Sequence, residues 1–311
     1  MRTTYTLGTV LAAVLSSGGV HAYVIGNYSS GLLVPLTIHQ GPGDTTAVGL
    51  MTQGCDEPGD PTPGVTVYWT FFDVDSGHVT DGQIPMTDDD VYAFVWVSEA
   101  GLGLEGKEGY LVFAADTDGN GALDGFDAAC LAGEAFQVVA ADADVAYKPV
   151  WPMSLLDFGL FGVPDLTRME ATSVTTLIEG AVDLPGPGGN ETLLMRYSVG
   201  DGDTTDLVVW SAEAIGGPDV VFTVNIYDEA ENRRSVNFAL PHAEQNTIDP
   251  AAITGRPAGF VNGFIEWRTP DDGAGDYVDN GLVDGNGIAS YSVLHSAGFS
   301  ARQTILNPHH P

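Results

Sequence analysis

The sequence predicts an all-β protein, built as two tandem β-sandwich domains of immunoglobulin-like or jelly-roll-like type related by internal duplication. Three observations carry this. First, the strongest segments, Thr66–Phe71 and 220–226, are rich in β-branched and aromatic residues. Second, Gly, Pro, Asp and Asn interrupt the chain every 8–12 residues, the spacing of turns in a sandwich, and no long amphipathic helix intervenes. Third, one half of the chain matches the other in order and spacing. Leu32 to Ile38 lies over Leu193 to Val199, and Gly43-Asp-Thr-Thr46 recurs as Gly202-Asp-Thr-Thr205. Val65 to Asp73 lies over Val220 to Asp228, and Gly109 to Phe113 over Gly263 to Trp267. A fixed period of this kind marks a repeat.

Taken in chain order, residues 1–22 read as a secretory signal. Arg2 gives the positive start, Leu7 to Leu15 the apolar run, and Val20-His-Ala22 the small-residue cleavage site. The run is shorter than the roughly 20 residues of a membrane span, and no later segment is long and apolar enough to be one. The expectation is a secreted protein, extracellular or at the cell surface, with the periplasm as a further possibility. The first sandwich is placed at 23–150 and the second at 190–311, each within the usual domain size. Residues 151–189 join them. Pro149 precedes that stretch and Pro152, Pro164, Pro185 and Pro187 interrupt it, yet Trp151 to Phe161 is too apolar to be free, so it is expected to be partly packed. The 186–189 Gly-Pro-Gly-Gly run is the expected hinge. His309-His310 is expected in a frayed tail rather than at a metal.

Composition restricts partners. Asp plus Glu is 42 against 10 for Lys plus Arg, a net charge of −32. Nucleic acids and anionic membranes are polyanions, so both are excluded as partners. Hydrophobic residues still make up 44 % of the chain, which is enough for a folded core and too much for an acidic disordered tail. The two cysteines, Cys55 and Cys130, are expected to form a disulfide in an exported chain. Closing that loop contributes about 4 kcal/mol in the chain-entropy picture.

The motif richest in chemistry is the twelve-residue stretch from Asp116 to Asp127. Calcium is a hard cation that takes 6–8 oxygens, so a short loop must turn several oxygens inward around a sharp bend. Asp116, Asp118, Asn120, Asp124 and Asp127 stand at loop positions 1, 3, 5, 9 and 12, and Gly121 at position 6. Ala122 would add its backbone carbonyl. An Asp in place of the usual closing Glu makes the site weaker. Gly109–Ala115 before it reads as a strand, giving a strand–loop–short helix unit with one structural Ca2+. In the second half Pro270 and Ala274 replace two ligands, so the copy should keep the turn without the metal. Calcium is therefore expected to stabilise the first half alone. Residues 276–286 and Asp88-Asp-Asp90 are weaker cation candidates; the triple Asp reads better as a solvated turn.

The Asp116–Asp127 stretch resembles dockerin-type and EF-hand-type extracellular calcium loops. The strand openings, the Gly-x-Asp-Thr turn of Gly43 to Thr46 and the strand from Gly109 to Phe113 resemble those of exported bacterial tandem β-sandwich proteins. That resemblance implies a secreted or surface sandwich and no activity.

No nucleophile elbow, zinc-protease helix, phosphate loop or dinucleotide fingerprint is present, and the histidines are scattered. The acidic residues sit mainly in Gly- and Asp-rich turns, where water would hold their pKa values ordinary. The chain is accordingly read as a structural or surface-interaction protein and not an enzyme, with itself or cell-surface and matrix components as partners. The alternative is a carbohydrate-binding module or glycoside hydrolase. It requires Trp69 and Trp96 to be exposed as a sugar platform, or two isolated buried carboxylates.

Overall fold

The computed structural model describes residues 28–56, 64–153, 162–174, 192–211, 215–269 and 288–310. The proposed signal segment, the expected hinge at 186–189, the second-half loop copy with Pro270 and Ala274, and residues 276–286 lie outside these. The described chain is mostly strand, in antiparallel sheets.

The first half contains β1 (Gly31–Thr37), β2 (His39–Gly41), β3 (Asp44–Thr52), β4 (Val65–Asp73), β5 (His78–Met86), β6 (Val91–Val95), α1 (Trp96–Glu99), β7 (Gly109–Asp116), β8 (Leu131–Val139), β9 (Asp144–Lys148) and β10 (Trp151–Met153). The second contains β11 (Thr192–Ser198), β12 (Thr204–Ser211), β13 (Val221–Asp228), β14 (Arg233–Ala239), β15 (Gln245–Ile248), β16 (Asn262–Arg268), β17 (Ile288–Ser296), β18 (Ala301–Leu306) and β19 (His309–His310).

Four sheets result. Sheet 1 runs β2-β3-β8-β9, with β6 also on β3; sheet 2 runs β10-β1-β7-β4-β5. Sheet 3 runs β15-β12-β17-β18, and sheet 4 runs β14-β13-β16-β11-β19. Sheets 2 and 4 have the same wiring. β10, β1, β7, β4 and β5 stand where β19, β11, β16, β13 and β14 stand. Sheets 1 and 3 correspond likewise, β6-β3-β8-β9 against β15-β12-β17-β18. Details recur with the wiring. The Thr46 hydroxyl donates to the Ile38 carbonyl and accepts from its N–H, and Thr205 does the same with Ser198. Gly109 and Gly263 each lie against a neighbouring strand, where a Cβ would come within 2.0 Å of the Phe72 carbonyl oxygen or 1.8 Å of that of Tyr227.

Three apolar layers separate the four sheets. Strand alternation decides which layer each side chain enters, because successive residues point to opposite faces. On β7, Leu111, Phe113 and Ala115 enter the core between sheets 1 and 2. Tyr110, Val112 and Ala114 enter a middle core shared with Val208, Trp210 and Tyr291 of sheet 3. The third core, with Val224, Ile226 and Trp267, lies between sheets 3 and 4. Every residue of β7 is therefore buried, the continuous apolar pattern of a strand covered on both faces.

Three expectations need correction. β10 carries the first sandwich to Met153, so residues 151–153 are a strand of sheet 2 and not linker. His309-His310 is not a frayed end: β19 pairs with Thr192 and Leu193, the position β10 holds on β1. No short helix follows the acidic loop; residues 124–130 form turns, held by the Cys55–Cys130 bond at their end.

The halves are joined by more than a linker. Ring pairs cross the middle layer at 5.5 Å (Tyr110–Trp210) and 6.1 Å (Trp151–Tyr291). Leu166, Met169 and Val174 of the connecting segment fill the rest of it. A shared core should make unfolding cooperative. Calorimetry of the mature chain should show one transition, and Trp210→Ala should destabilise it by about 3–5 kcal/mol while lowering both halves together. Two separated transitions in the unsubstituted protein would contradict the shared core.

Candidate metal loop and polar seam

The loop after β7 is fixed at its base and open at its tip. Asp116, the last residue of β7, is 2 % exposed and Asp127 is 5 % exposed, whereas Asp118 and Asn120 reach solvent. One carboxylate oxygen each from Asp116, Asp118 and Asp127 lies within 4.8 Å of the others. Gly119 and Gly121 have φ of +74° and +80°, the left-handed conformation the predicted turn requires. Their N–H groups donate to the two oxygens of Asp116 at 2.7 and 2.9 Å. Asp127 closes the loop by accepting from Thr117 N–H at 2.7 Å and Asp124 N–H at 2.8 Å.

The structure thus brings together three of the six residues assigned to the ion. Asn120 and Asp124 stand at the rim: the Asn120 amide donates to Asp118 at 2.9 Å and to Asp124 at 3.3 Å. Ala122 donates its N–H to the Asn120 side chain at 2.7 Å. Burial pushes the carboxyls of Asp116 and Asp127 above their ordinary values, against the pull of the backbone N–H groups. Neighbouring Asp118 adds to both. A cation would offset that repulsion, which makes the pair suited to a hard divalent ion.

The loop is clasped on two sides. The sulfurs of Cys55 and Cys130 are bonded, with Cα atoms 5.1 Å apart. On the other side Leu123 and Val163 exchange backbone hydrogen bonds at 2.8 Å, and Leu166 N–H donates to the Gly121 carbonyl. Leu123, Val163 and Leu166 all belong to the middle core, so the loop is anchored in the layer that joins the halves. Asp88, Asp89 and Asp90 instead hold a turn by accepting from Cys55 N–H, the Gln53 amide and Val91 N–H.

A second polar feature follows the boundary between the halves. Leu36 has φ of 54°, a strained value for a branched side chain. Its N–H donates to Gln245 at 3.0 Å and its carbonyl accepts from Lys148. Lys148 is buried at the edge of a cavity of about 250 Å3, lined also by Asp44, Glu108, Asp206 and Arg302. Burial pushes its ammonium down to about 7, and Asp44, Glu108 and Asp206 resist this. Arg302 joins the halves by pairing with Asp142 at 3.0 Å and Asp144 at 3.2 Å. Nearby, Glu244 and Gln245 donate their N–H groups to the Val74 carbonyl, and Ala243 N–H reaches Asp75. Burial pushes the Glu244 carboxyl up to about 7, with Asp75 and Asp73 adding to this and Ser76 opposing it.

Ordinary values for the carboxyls, expected from turn chemistry, therefore fail at Glu244. Glu244 carries no signature in the sequence, and the packing of one half on the other buries it. Comparison with protein-family models, with curated proteins and with solved structures finds no match to this chain.

Glu244 and Lys148 give opposite pH dependences. Folded Glu244 keeps its proton to a higher pH than the unfolded carboxyl, so stability falls as pH rises from about 4.5 to about 7. Folded Lys148 loses its proton earlier than the unfolded amine, so stability rises from about 7 to about 10.5. Denaturation midpoints between pH 5 and 8 should fall less for Glu244→Gln than for the unsubstituted chain. Between pH 7 and 10 they should rise less for Lys148→Met. Unchanged slopes would show that neither group titrates as its burial requires.

Proposed function

We propose that the exported, mature chain is a calcium-stabilised extracellular structural or surface-interaction protein, associating with itself or with cell-surface or matrix components, and not an enzyme. The Asp116–Asp118–Asp127 cluster carries this reading. Two buried carboxylates beside a third are costly without a counter-ion, and the loop commits backbone N–H groups, two left-handed glycines and a disulfide to holding them together. A pair of sandwiches fused through an apolar layer supports a load-bearing or scaffolding role. Among the described residues no helix is long and apolar enough to cross a membrane. The proposed duplication of one sandwich is supported by the equal strand orders of sheets 2 and 4 and of sheets 1 and 3.

The carbohydrate reading finds no support in the aromatics. Trp69 and Trp96, the proposed platform, are 4 % and 0 % exposed, and the other three tryptophans are equally enclosed. Glu244 is a buried acid, but it faces Ser76 within the boundary between the halves.

Because the loop is rooted in the middle core, calcium should stabilise the whole molecule and not the first half alone. At a calcium concentration one hundred times the dissociation constant the gain is about 2.7 kcal/mol, read as a rise of several degrees in a single melting transition. Asp116→Ala should remove the response, and reduction of Cys55–Cys130 should weaken calcium binding in titration calorimetry. Calcium without effect on melting would refute the metal assignment. Turnover of a polysaccharide, lost in one carboxylate variant, would refute the non-enzymatic one.

A further inference from the structure

The stack of sheets has two ends, and they are not alike. Among the described residues the outward face of sheet 1 is apolar and open at its β6 and β9 sides, although Thr45 and Ala132 on the same face are buried. It presents Val91 and Ala93 of β6, Met51 of β3, Phe136 of β8 and Val145 of β9, with Val91 71 % and Val145 52 % exposed. Strand alternation and the β3–β6, β3–β8 and β8–β9 registers put these side chains on one face. Glu134 is the one charged residue on the paired strands there. Contiguous exposed apolar side chains rimmed by polar residues mark interaction sites.

Its occupant is indicated by the other half. Sheet 3 repeats the wiring of sheet 1, and the recurring Gly-Asp-Thr-Thr turn aligns Gly49 with Val208 and Met51 with Trp210. In sheet 3 this face is covered: Val208, Trp210 and Tyr291 pack on sheet 2. The covering surface of sheet 2 has a partial copy in the outward face of sheet 4, where Glu266 and Arg268 stand in place of Val112 and Ala114. There Phe264 stacks on Tyr227 at 4.5 Å as Tyr110 stacks on Phe72 at 5.1 Å, and Leu194 stands where Leu33 stands. The ends of the molecule therefore repeat the wiring and part of the apolar content of its internal contact, with Glu134 on one end and Glu266 and Arg268 on the other replacing Tyr291, Val112 and Ala114.

We infer that sheet 4 of one copy docks on sheet 1 of a second copy, repeating the sheet 2–sheet 3 contact, and that the chain assembles head to tail. Charge favours this pairing over either face with itself. Arg196, Arg233 and Arg268 lie on the outward face of sheet 4 against one acidic residue there, Glu266, while Arg234 pairs with the core residue Ile226 and belongs to the other face. The only basic residue on strands of sheet 1 is the buried Lys148. Two sheet 1 faces would oppose Glu134 to itself, and two sheet 4 faces would oppose the arginines. A contact between different faces leaves a free face at each end, so it propagates past a dimer, as a filament or as a ring where the rotation closes. This rests on the self-association proposed above and specifies the surfaces that make it.

Sedimentation velocity of the mature chain between about 1 μM and 1 mM tests the inference. The average mass should grow with concentration past a dimer. Ala93→Arg on sheet 1 and Leu194→Asp on sheet 4 should each weaken association at least tenfold. Mixed, the two should form a one-to-one dimer and nothing larger, because each retains the face the other has lost. Thr223→Asp, exposed on sheet 4, serves in place of Leu194→Asp if circular dichroism shows that variant unfolded. A closed dimer from Leu194→Asp alone would overturn the pairing in favour of sheet 1 with itself. Assembly untouched by either variant would overturn the inference and leave self-association through other surfaces. A monomer at 1 mM would overturn both.

Discussion

The burial of both faces of sheet 2 is the constraint on which the molecule depends. A two-layer sandwich ordinarily leaves the outer face of each sheet to water. Here Tyr110, Val112 and Ala114 on the far side of β7 are as enclosed as Leu111, Phe113 and Ala115 on the near side. At roughly 25 cal/mol per Å2 of apolar surface removed from water, a layer holding two tryptophans and two tyrosines is a large part of what keeps the halves in one arrangement. The connecting segment, the acidic loop and the strained Leu36 all take their positions from that layer.

The fold class was legible in the sequence because its signals are local. Alternating β-branched and aromatic residues identify β4 and β13, and the duplicated Gly-Asp-Thr-Thr turn identifies the common entrance to β3 and β12. The loop was legible for the same reason: Asp116 and Gly121 stand in a twelve-residue pattern, and both the left-handed glycine and the enclosing carboxylates are in place. What was not legible depends on contacts distant in sequence. Tyr110 and Trp210 look like ordinary core residues of separate domains, and nothing in either segment shows that they meet. β10 and β19 are too short to announce themselves; each exists because β1 or β11 offers it an edge. Glu244 and Lys148 are unexceptional until the two halves pack on each other.

The boundary between the halves combines an apolar centre with a charged margin, as in many interfaces between subunits. Arg302 bridges two aspartates at the margin, while Lys148 and Glu244 are placed where their charged forms are disfavoured. In a chain with so few basic residues, one of its two lysines being sealed inside gives that position to packing and hydrogen bonding rather than to surface charge.

β7 has no contact with water on either face and is paired along both edges, with β1 on one side and β4 on the other. Its amide protons can exchange with solvent only when the sandwich comes apart, since no smaller opening exposes them. The slowest-exchanging amides should then lie in the strand that ends at Asp116. The base of the acidic loop would share the lifetime of the folded state itself, while its exposed tip at Asp118 and Asn120 remains free to move on far shorter times. Access to the loop is in this sense a property of its outer half alone.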